Sequence, residues 1–224
     1  MRRLFRIGTI VGLSALVAAG GITTPSYAQA PDPDSVYVQS IRYEGTGCPQ
    51  GSVGSSFAND RQSFTLVFDS FVASIGPGVA REEARKRCEL DVDLKAPDGW
   101  SWAVVETTAR GYVSLPADVR AESQLQYSSH EGRHANNGRL SEDAEFNGPV
   151  SKDYLLTNTS PRTAINWSRC GGTNHLYITA EVSLKARHGT TPQAQITMDS
   201  IDGKVQIGEL ESRRGIQLVW QRCN

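Results

Sequence analysis

Residues 88–104 read CELDVDLKAPDGWSWAV, and this stretch decides the fold class. Its first seven residues alternate between apolar and charged side chains, which is typical of a strand with one buried face and one wet face. Pro97-Asp98-Gly99 then provides a tight turn, because proline and aspartate suit a type I turn and glycine suits the left-handed residue after it. The segment therefore predicts an antiparallel hairpin with a three-residue loop. We expect it to pair Ala96 with Trp100, Leu94 with Trp102, and Val92 with Val104.

The same alternation recurs along the chain, with turn residues between the runs. The further apolar faces are Phe64, Leu66 and Phe68; Leu176, Ile178, Ala180, Val182 and Leu184; and Ile216, Leu218 and Trp220. Asp202-Gly203 predicts a second, two-residue hairpin turn, which would pair Met198 with Ile207 and Ser200 with Val205. About ten strands and almost no helical periodicity predict an all-β fold, a jelly-roll-like two-layer antiparallel β-sandwich with one short helical turn. A β-barrel is the alternative.

One stretch, residues 68–94, interrupts the strand pattern with Gly76-Pro77-Gly78 and a cluster of charges. We interpret it as a polar crossing between two strands, because a charge run of this kind is usually a solvated face. Residues 80–87 predict a helical piece of two turns at most, in which two glutamates meet Lys86 and Arg87 four residues later.

The first thirty residues have the pattern of a secretory signal peptide, with three arginines, an apolar run, and small residues before a cleavage site at Ala28 or Ala30. We therefore expect three segments: a signal peptide over 1–30, a disordered tail over 31–40, and a single secreted β-sandwich domain over 41–224. The predicted location is extracellular or periplasmic. No membrane insertion is expected after cleavage, since no later segment is apolar enough to span a bilayer.

The charge balance argues against one class of partner. The chain has 23 basic and 24 acidic residues, and loss of the three leader arginines leaves a net charge of −4 on the predicted mature protein. Nucleic-acid binding requires a basic surface, so we expect no nucleic-acid partner.

Four cysteines, Cys48, Cys88, Cys170 and Cys223, lie in the predicted mature chain. An even number in an exported protein indicates two disulfides, although the sequence allows three pairings. The sequential pairing closes loops of about 40 and 53 residues, and each bond is worth roughly 4 kcal/mol in the chain-entropy model. Trp167 and Trp220 share the spacing W-x-R-C, which suggests that Cys170 and Cys223 join two strand ends. The absence of a Cys-x-x-Cys spacing argues against a cysteine metal site.

A zinc-protease string, His130-Glu131-Gly132-Arg133-His134, matches H-E-x-x-H. That chemistry requires both histidines on one face of a helix, with the glutamate as general base beside a zinc-bound water. Here a glycine lies inside the motif and Ala135-Asn136-Asn137-Gly138 follows it, which is typical of a loop. We interpret the string as a polar loop rather than a metal site.

An acidic row, Glu89, Asp91 and Asp93, lies on the wet face of the first strand. Paired carboxylates in such a row could hydrolyse a glycoside or bind calcium, and a plain solvated strand face is the alternative. Trp100, at the edge of the predicted turn, is the indole expected to be exposed, and exposed aromatic rings stack on sugar rings. The candidate ligand-binding residues are therefore Trp100, Asp91 and Asp93.

No catalytic set emerges from the remaining residues. The chain contains no G-x-S-x-G nucleophile elbow, no phosphate-binding loop and no dinucleotide fingerprint. His175 and His188 have no evident partner. The sequence thus predicts no catalytic residue, no metal ligand and no cofactor.

Several short segments together resemble the domain of unknown function 4360 family, small secreted proteins of bacteria and fungi. The segments that carry the resemblance are Gly47-Cys48-Pro49, Phe64 to Asp69, Gly76 to Val79, Arg85 to Cys88, Arg110-Gly111-Tyr112, Gly148-Pro149-Val150, Asp153-Tyr154, Trp167 with Cys170, Asp199 to Lys204, and Trp220 with Cys223. The resemblance implies export, two disulfides and a β-rich fold, and it assigns no catalytic residue.

Export, disulfides, strand content and the lack of a catalytic set predict a non-enzymatic binding module. The expected ligand is an extracellular carbohydrate, such as a surface glycan, or a protein. One alternative is a secreted hydrolase, either a glycoside hydrolase or a zinc-dependent enzyme. Another is a structural, envelope-associated protein.

Overall fold

The computed structural model describes residues 35–57, 63–128, 140–159, 167–187, 192–204 and 217–223. These segments contain thirteen strands and one 3₁₀ turn at Arg81–Ala84. The strands are β1 (Tyr37–Glu44), β2 (Val53–Phe57), β3 (Ser63–Phe68), β4 (Val72–Ile75), β5 (Arg85–Ala96), β6 (Trp100–Leu115), β7 (Val119–Ser128), β8 (Leu140–Asn147), β9 (Val150–Thr159), β10 (Gly172–Ala186), β11 (Ala194–Thr197), β12 (Ser200–Lys204) and β13 (Gln217–Arg222). Within these segments no helix has the length and apolar character needed to cross a membrane.

The strands form two antiparallel sheets, which are not closed into a barrel in the part of the chain described. One sheet has five strands in the order β1-β5-β10-β7-β8. The other has eight strands, with the path β2-β3-β12-β6-β11-β4 and with β9 and β13 also paired to β6. The predicted β-sandwich is confirmed, with three more strands than expected.

Alternation along the strands builds a single core between the sheets. In β10, residues at even positions from Asn174 to Leu184 are buried, while those at odd positions are partly exposed. β5 follows the same rule, with Cys88, Leu90, Val92 and Leu94 directed inward. The eight-stranded sheet contributes residues including Phe64, Leu66, Trp102, Ile196 and Ile201 to the same cluster. The apolar faces predicted on β3, β5 and β10 are therefore confirmed.

The predicted hairpin between β5 and β6 is wrong, although its turn is correct. The strands are separated by three residues, 97–99, Gly99 has a φ of 78°, and the Trp100 amide donates to the Pro97 carbonyl at 3.2 Å. However, β5 pairs with β1 and β10, whereas β6 pairs with strands of the other sheet. The turn is thus a corner between layers. The apolar faces of β5 and β6 therefore pack against each other across the sandwich, rather than lying side by side in one sheet. Either arrangement buries both faces.

The predicted turn at Asp202-Gly203 is also wrong. β12 continues through both residues and pairs them with Thr65 and Phe64 of β3. The Asp202 carboxylate accepts a hydrogen bond from the Thr65 hydroxyl at 2.9 Å and pairs with Arg110 of β6 at 3.1 Å. Cross-strand partners on both sides therefore stabilise an extended conformation. The predicted partners Val205 and Ile207 lie outside the described residues.

Two segment boundaries differ from expectation. β1 begins at Tyr37, within the predicted tail 31–40, and Val36 is already buried. The 3₁₀ turn Arg81–Ala84 is shorter than the predicted helical piece, because Arg85 already belongs to β5. Glu83 pairs with Lys86 at 2.8 Å, three residues away rather than four. The crossing itself is confirmed, since it connects β4 of one sheet with β5 of the other.

The disulfides are Cys48–Cys88 and Cys170–Cys223, and no cysteine is left free. The first links the β1–β2 connection to the start of β5, close to the crossing. In the second, Cys170 lies two residues before β10 and Cys223 directly follows β13, so this bond joins a strand end of one sheet to a strand end of the other. This is the sequential pairing.

The second disulfide lies at the β5–β6 corner, where backbone hydrogen bonds hold the chain closely. The Gly171 amide donates to the Trp100 carbonyl at 2.7 Å, and the Cys223 amide donates to the Gly99 carbonyl at 2.9 Å. The guanidinium of Arg222 lies 4.8 Å from the centre of the Trp100 ring. Trp100 is consequently only 6% exposed.

Candidate functional site

The outer face of the five-stranded sheet gathers the polar side chains of three neighbouring strands. Glu89, Asp91 and Asp93 lie on the outer face of β5, as predicted for the acidic row, although Asp93 is only 9% exposed. Asp93 lies between Ser40 of β1 and His175 of β10, its partners in register. Asp91 lies in the same way between Arg42 and Tyr177. We call Ser40, Arg42, Asp91, Asp93 and His175 the Asp91–Asp93 cluster.

Arg42 joins the two carboxylates. Its Nη2 donates to Asp91 Oδ2 at 2.7 Å and to Asp93 Oδ1 at 3.1 Å, while Nη1 donates to Asp93 Oδ2 at 3.0 Å. The Ser40 hydroxyl also donates to Asp93 Oδ2. These charge-assisted bonds fix both carboxylates on the sheet.

His175 approaches the same carboxylates from the other side. Its Nδ1 lies 2.8 Å from Asp91 Oδ1 and 2.9 Å from Asp93 Oδ1. The ring is about one-third exposed, so its other edge faces solvent. The sequence indicated no partner for this histidine, and that interpretation is wrong, because its partners come from β5 through the strand register.

The electrostatics of the cluster favour its charged form. Burial acts to raise the pKa of Asp93, but hydrogen bonds from Ser40 and Arg42, with the positive charge of Arg42, outweigh it and hold the pKa below its usual value. The hydrogen bonds from Arg42 to Asp91 and Asp93, with their charges, raise the guanidinium pKa further above its ordinary value. Asp93 is therefore ionised at neutral pH.

Beside the cluster is an open depression of about 230 Å³. Its polar lining residues are Arg42, Tyr43, Glu44, Glu89, Asp91, Tyr177 and Thr179. The Tyr177 ring is stacked on His175, with centroids 5.6 Å apart and planes 8° from parallel. Because the lining residues of β10 are 177–179 and exclude 175, the depression lies on the side of Tyr177 away from His175.

A family model described as a domain of unknown function, DUF4360, matches residues 34–223. The chain belongs to this family. An uncharacterized secreted protein of the fungus Arthroderma benhamiae is 35% identical over 195 residues, which cover 87% of this chain and 74% of the relative. The chain is accordingly a secreted, disulfide-containing β-sandwich protein.

Among solved structures, a carbohydrate-binding module in complex with β-1,4-galactotriose aligns with a TM-score of 0.30 and 14% identity, over 80% of this chain and all of that chain. The carbohydrate-binding and catalytic modules of a Clostridium thermocellum xylanase, complexed with xylohexaose, align with a TM-score of 0.28 and 10% identity. That alignment covers 81% of this chain and 28% of the xylanase.

The predicted site residues of this family member separate into two places. Asp91 and Asp93 lie together on the outer face of the five-stranded sheet, where Arg42 and His175 join them. Trp100 lies at the β5–β6 corner, and its expected exposure is wrong, because the residue is buried and the Arg222 guanidinium lies over the indole. The string His130–His134 lies outside the described residues.

The sequence missed Ser40, Arg42, His175 and Tyr177. One signal was present, since His175 and Tyr177 occupy wet positions of a strongly alternating strand. Their proximity to Asp91 and Asp93 depends on the register between β5 and β10. The cluster also contains three side chains, Asp91, Asp93 and His175, whose metal-ligating atoms lie within 4.8 Å of one another.

Proposed function

We propose that this protein binds an extracellular glycan at the depression beside Tyr177. The observation that carries the proposal is the position of an aromatic ring and preoriented charged groups around one open depression on a sheet face. Sugar recognition requires both elements. An aromatic ring face packs against the carbon-bound hydrogens of the sugar, and planar polar groups form hydrogen bonds with its hydroxyls.

Tyr177 supplies the ring. His175 is stacked on the ring, and Tyr177 itself lines the depression. The stack with His175 limits rotation of the phenol, so little side-chain entropy is lost when a sugar ring packs against it. An open depression of about 230 Å³ is smaller than the roughly 300–1,000 Å³ pockets that enclose drug-sized ligands. It is suited to a surface glycan that lies across the sheet.

Arg42 and Asp91 supply the polar contacts. Both line the depression, and both are held in place by their mutual ion pair at 2.7 Å. A guanidinium offers parallel donors and a carboxylate offers acceptors, a combination that matches neighbouring hydroxyls of a sugar. Charged groups fixed before the ligand arrives need no reorganisation on binding.

The alternative of glycoside hydrolysis by the acidic row is not favoured by the electrostatics. A glycosidase needs one carboxyl group that stays protonated as a general acid, with a raised pKa. The pKa of Asp93 is instead lowered by Ser40 and Arg42. The pair therefore suits hydrogen bonding to a ligand better than proton donation.

A glycan array probed with the mature protein, followed by titration calorimetry with the best glycan, tests the proposal. Tyr177→Ala should weaken binding about tenfold, on the scale of the roughly 1–3 kcal/mol that a nucleic-acid base gains by stacking on an aromatic side chain. Tyr37→Ala is the matched control, because Tyr37 is 41% exposed on β1 of the same sheet but does not line the depression. Equal loss in both variants, or no loss with Tyr177→Ala, contradicts the proposed site. An array without any bound glycan contradicts the proposed function.

A further inference from the structure

We propose that Asp91, Asp93 and His175 form a binding site for a divalent transition-metal ion of the Zn²⁺ type. The inference goes beyond glycan binding and does not depend on it, and it departs from the sequence-based expectation of no metal ligand. The observation behind it is the convergence of two carboxylate oxygens and one imidazole nitrogen on a rigid pair of strands.

The distances between the ligand atoms suit a metal ion after a small adjustment. Nδ1 of His175 lies 2.8 Å from Asp91 Oδ1 and 2.9 Å from Asp93 Oδ1. In a tetrahedral zinc site with bonds of about 2.0–2.2 Å, neighbouring ligand atoms lie roughly 3.3–3.6 Å apart. The imidazole nitrogen must therefore move outward by about half an ångström. The two carboxylates, whose ligand oxygens lie within 4.8 Å of each other, must reach the same spacing through small side-chain rotations.

Neighbouring side chains orient the ligands as outer-shell groups do in metalloproteins. The Oδ2 atoms of both aspartates are held from the opposite side, by Arg42 for Asp91 and by Ser40 and Arg42 for Asp93. The Oδ1 atoms are thus left facing His175. Asp93 Oδ1 is shared, since Arg42 Nη2 also lies 3.1 Å from it.

The local charge supports a cation. Two carboxylates and one guanidinium give the cluster a charge of −1 when the imidazole is neutral. A divalent ion bound between the two carboxylates offsets this negative charge, and the lone pair of the neutral imidazole nitrogen completes the set of three protein ligands. The partial exposure of His175 allows water to complete the coordination shell.

The donor set selects the class of ion. Calcium prefers six to eight oxygen ligands, and magnesium retains most of its water, whereas an imidazole nitrogen suits zinc, nickel and copper. Thiolates do not compete, because all four cysteines are in disulfides. Zn²⁺ is therefore the probe ion, with Ca²⁺ as the negative comparison.

The experiment is calorimetric titration of the chelator-treated mature protein with ZnCl₂, in the absence of any glycan. We expect one saturable site per chain, and binding at least tenfold weaker in His175→Ala and in Asp91→Asn. Both residues are partly exposed, and thermal unfolding of each variant in chelator confirms that it is folded. Titration with CaCl₂ should show no saturable binding at the same concentrations.

Two controls separate this site from others. Glu181→Gln breaks the ion pair with Arg85 on the same strand face and should bind Zn²⁺ like the wild type. The double variant His130→Ala/His134→Ala should also retain binding. Absence of saturable Zn²⁺ binding, an unchanged affinity in His175→Ala, or loss of binding only in the His130/His134 variant would overturn the proposal. Each of these outcomes leaves the glycan array independent, so failure of one proposal is distinguishable from failure of the other.

Discussion

Tyr154 lies directly over Gly111, its cross-strand partner on β6, and its hydroxyl group donates a hydrogen bond to the Thr197 carbonyl. This single side chain connects β9, β6 and the end of β11. A β-carbon at position 111 would overlap the Thr197 carbonyl oxygen, and it would lie 2.6 Å from the Tyr154 hydroxyl oxygen and 2.7 Å from the adjacent ring carbon. The glycine is therefore required by the close approach of both the Thr197 backbone and the ring.

We expect Gly111→Ala to destabilise the fold by about 1–3 kcal/mol, the usual cost of overpacking a close contact. The added methyl group must displace both the phenol and the Thr197 backbone, and these shifts weaken their hydrogen bond. Urea unfolding of the purified mature protein measures the change. Gly54→Ala on β2 is the control, because its β-carbon would meet no atom within 4 Å. A Gly111→Ala variant as stable as Gly54→Ala would contradict the close packing of Tyr154 and Thr197 on this glycine.

Removal of the Cys170–Cys223 disulfide by a double serine substitution should cost roughly 4 kcal/mol, since the bond closes a 53-residue loop. The Cys48–Cys88 bond closes a 40-residue loop, and the chain-entropy model predicts a cost within about 0.3 kcal/mol of the first. Chemical denaturation of both double variants measures the two costs. A markedly larger loss for Cys170/Cys223 would indicate that packing around Trp100 also depends on that bond.

The lowered pKa of Asp93 predicts a pH-dependent contribution to stability. Above the unfolded-state pKa of about 3.9 the carboxylate is ionised in both states, and its contribution is fully present. As the pH falls through the lower folded-state pKa, the native carboxylate becomes protonated and the contribution is lost. Asp93→Asn should therefore be less stable than wild type at pH 7 by on the order of 1–2 kcal/mol, with a smaller difference at acidic pH.

The measurement is the unfolding free energy of wild type and Asp93→Asn between pH 2 and 7, in buffer containing a chelator. Asp143→Asn is the control, because Asp143 is an exposed carboxylate at the far edge of the same sheet, where substitutions usually change stability by less than about 0.5 kcal/mol. A difference between wild type and Asp93→Asn that grows as the pH falls would contradict the assigned direction of the pKa.

The side chains that share a face of β5 were predictable from the sequence, whereas the strands that pair with β5 were not. Alternation placed Leu90 and Val92 on the inner face and Asp91 and Asp93 on the outer face, as the structure has them, although Asp93 is buried by its neighbours there. The same alternation was compatible with a hairpin between β5 and β6, and it was wrong there. A strand with a buried face can satisfy that face by lateral pairing or by stacking across the sandwich, and local sequence does not distinguish the two.

The candidate site shows the same division. The acidic row was visible in the sequence, but the opposite position of His175 depends on a strand more than eighty residues later. The exposure of Trp100 was mispredicted for a related reason, since the guanidinium that lies over its ring comes from Arg222, more than one hundred residues later.

By itself the sequence determined the alternation along β3, β5 and β10, the sandwich of two layers, the crossing after Ile75, and the presence of two disulfides. All of these follow from side-chain hydrophobicity and local turn chemistry, which act over a few residues. Only the tertiary structure decided which strands are neighbours, and hence that Arg42, Asp91, Asp93, His175 and Tyr177 share one face. Pairing is decided by contacts between distant segments, whose free energies are set by the packing of the whole domain.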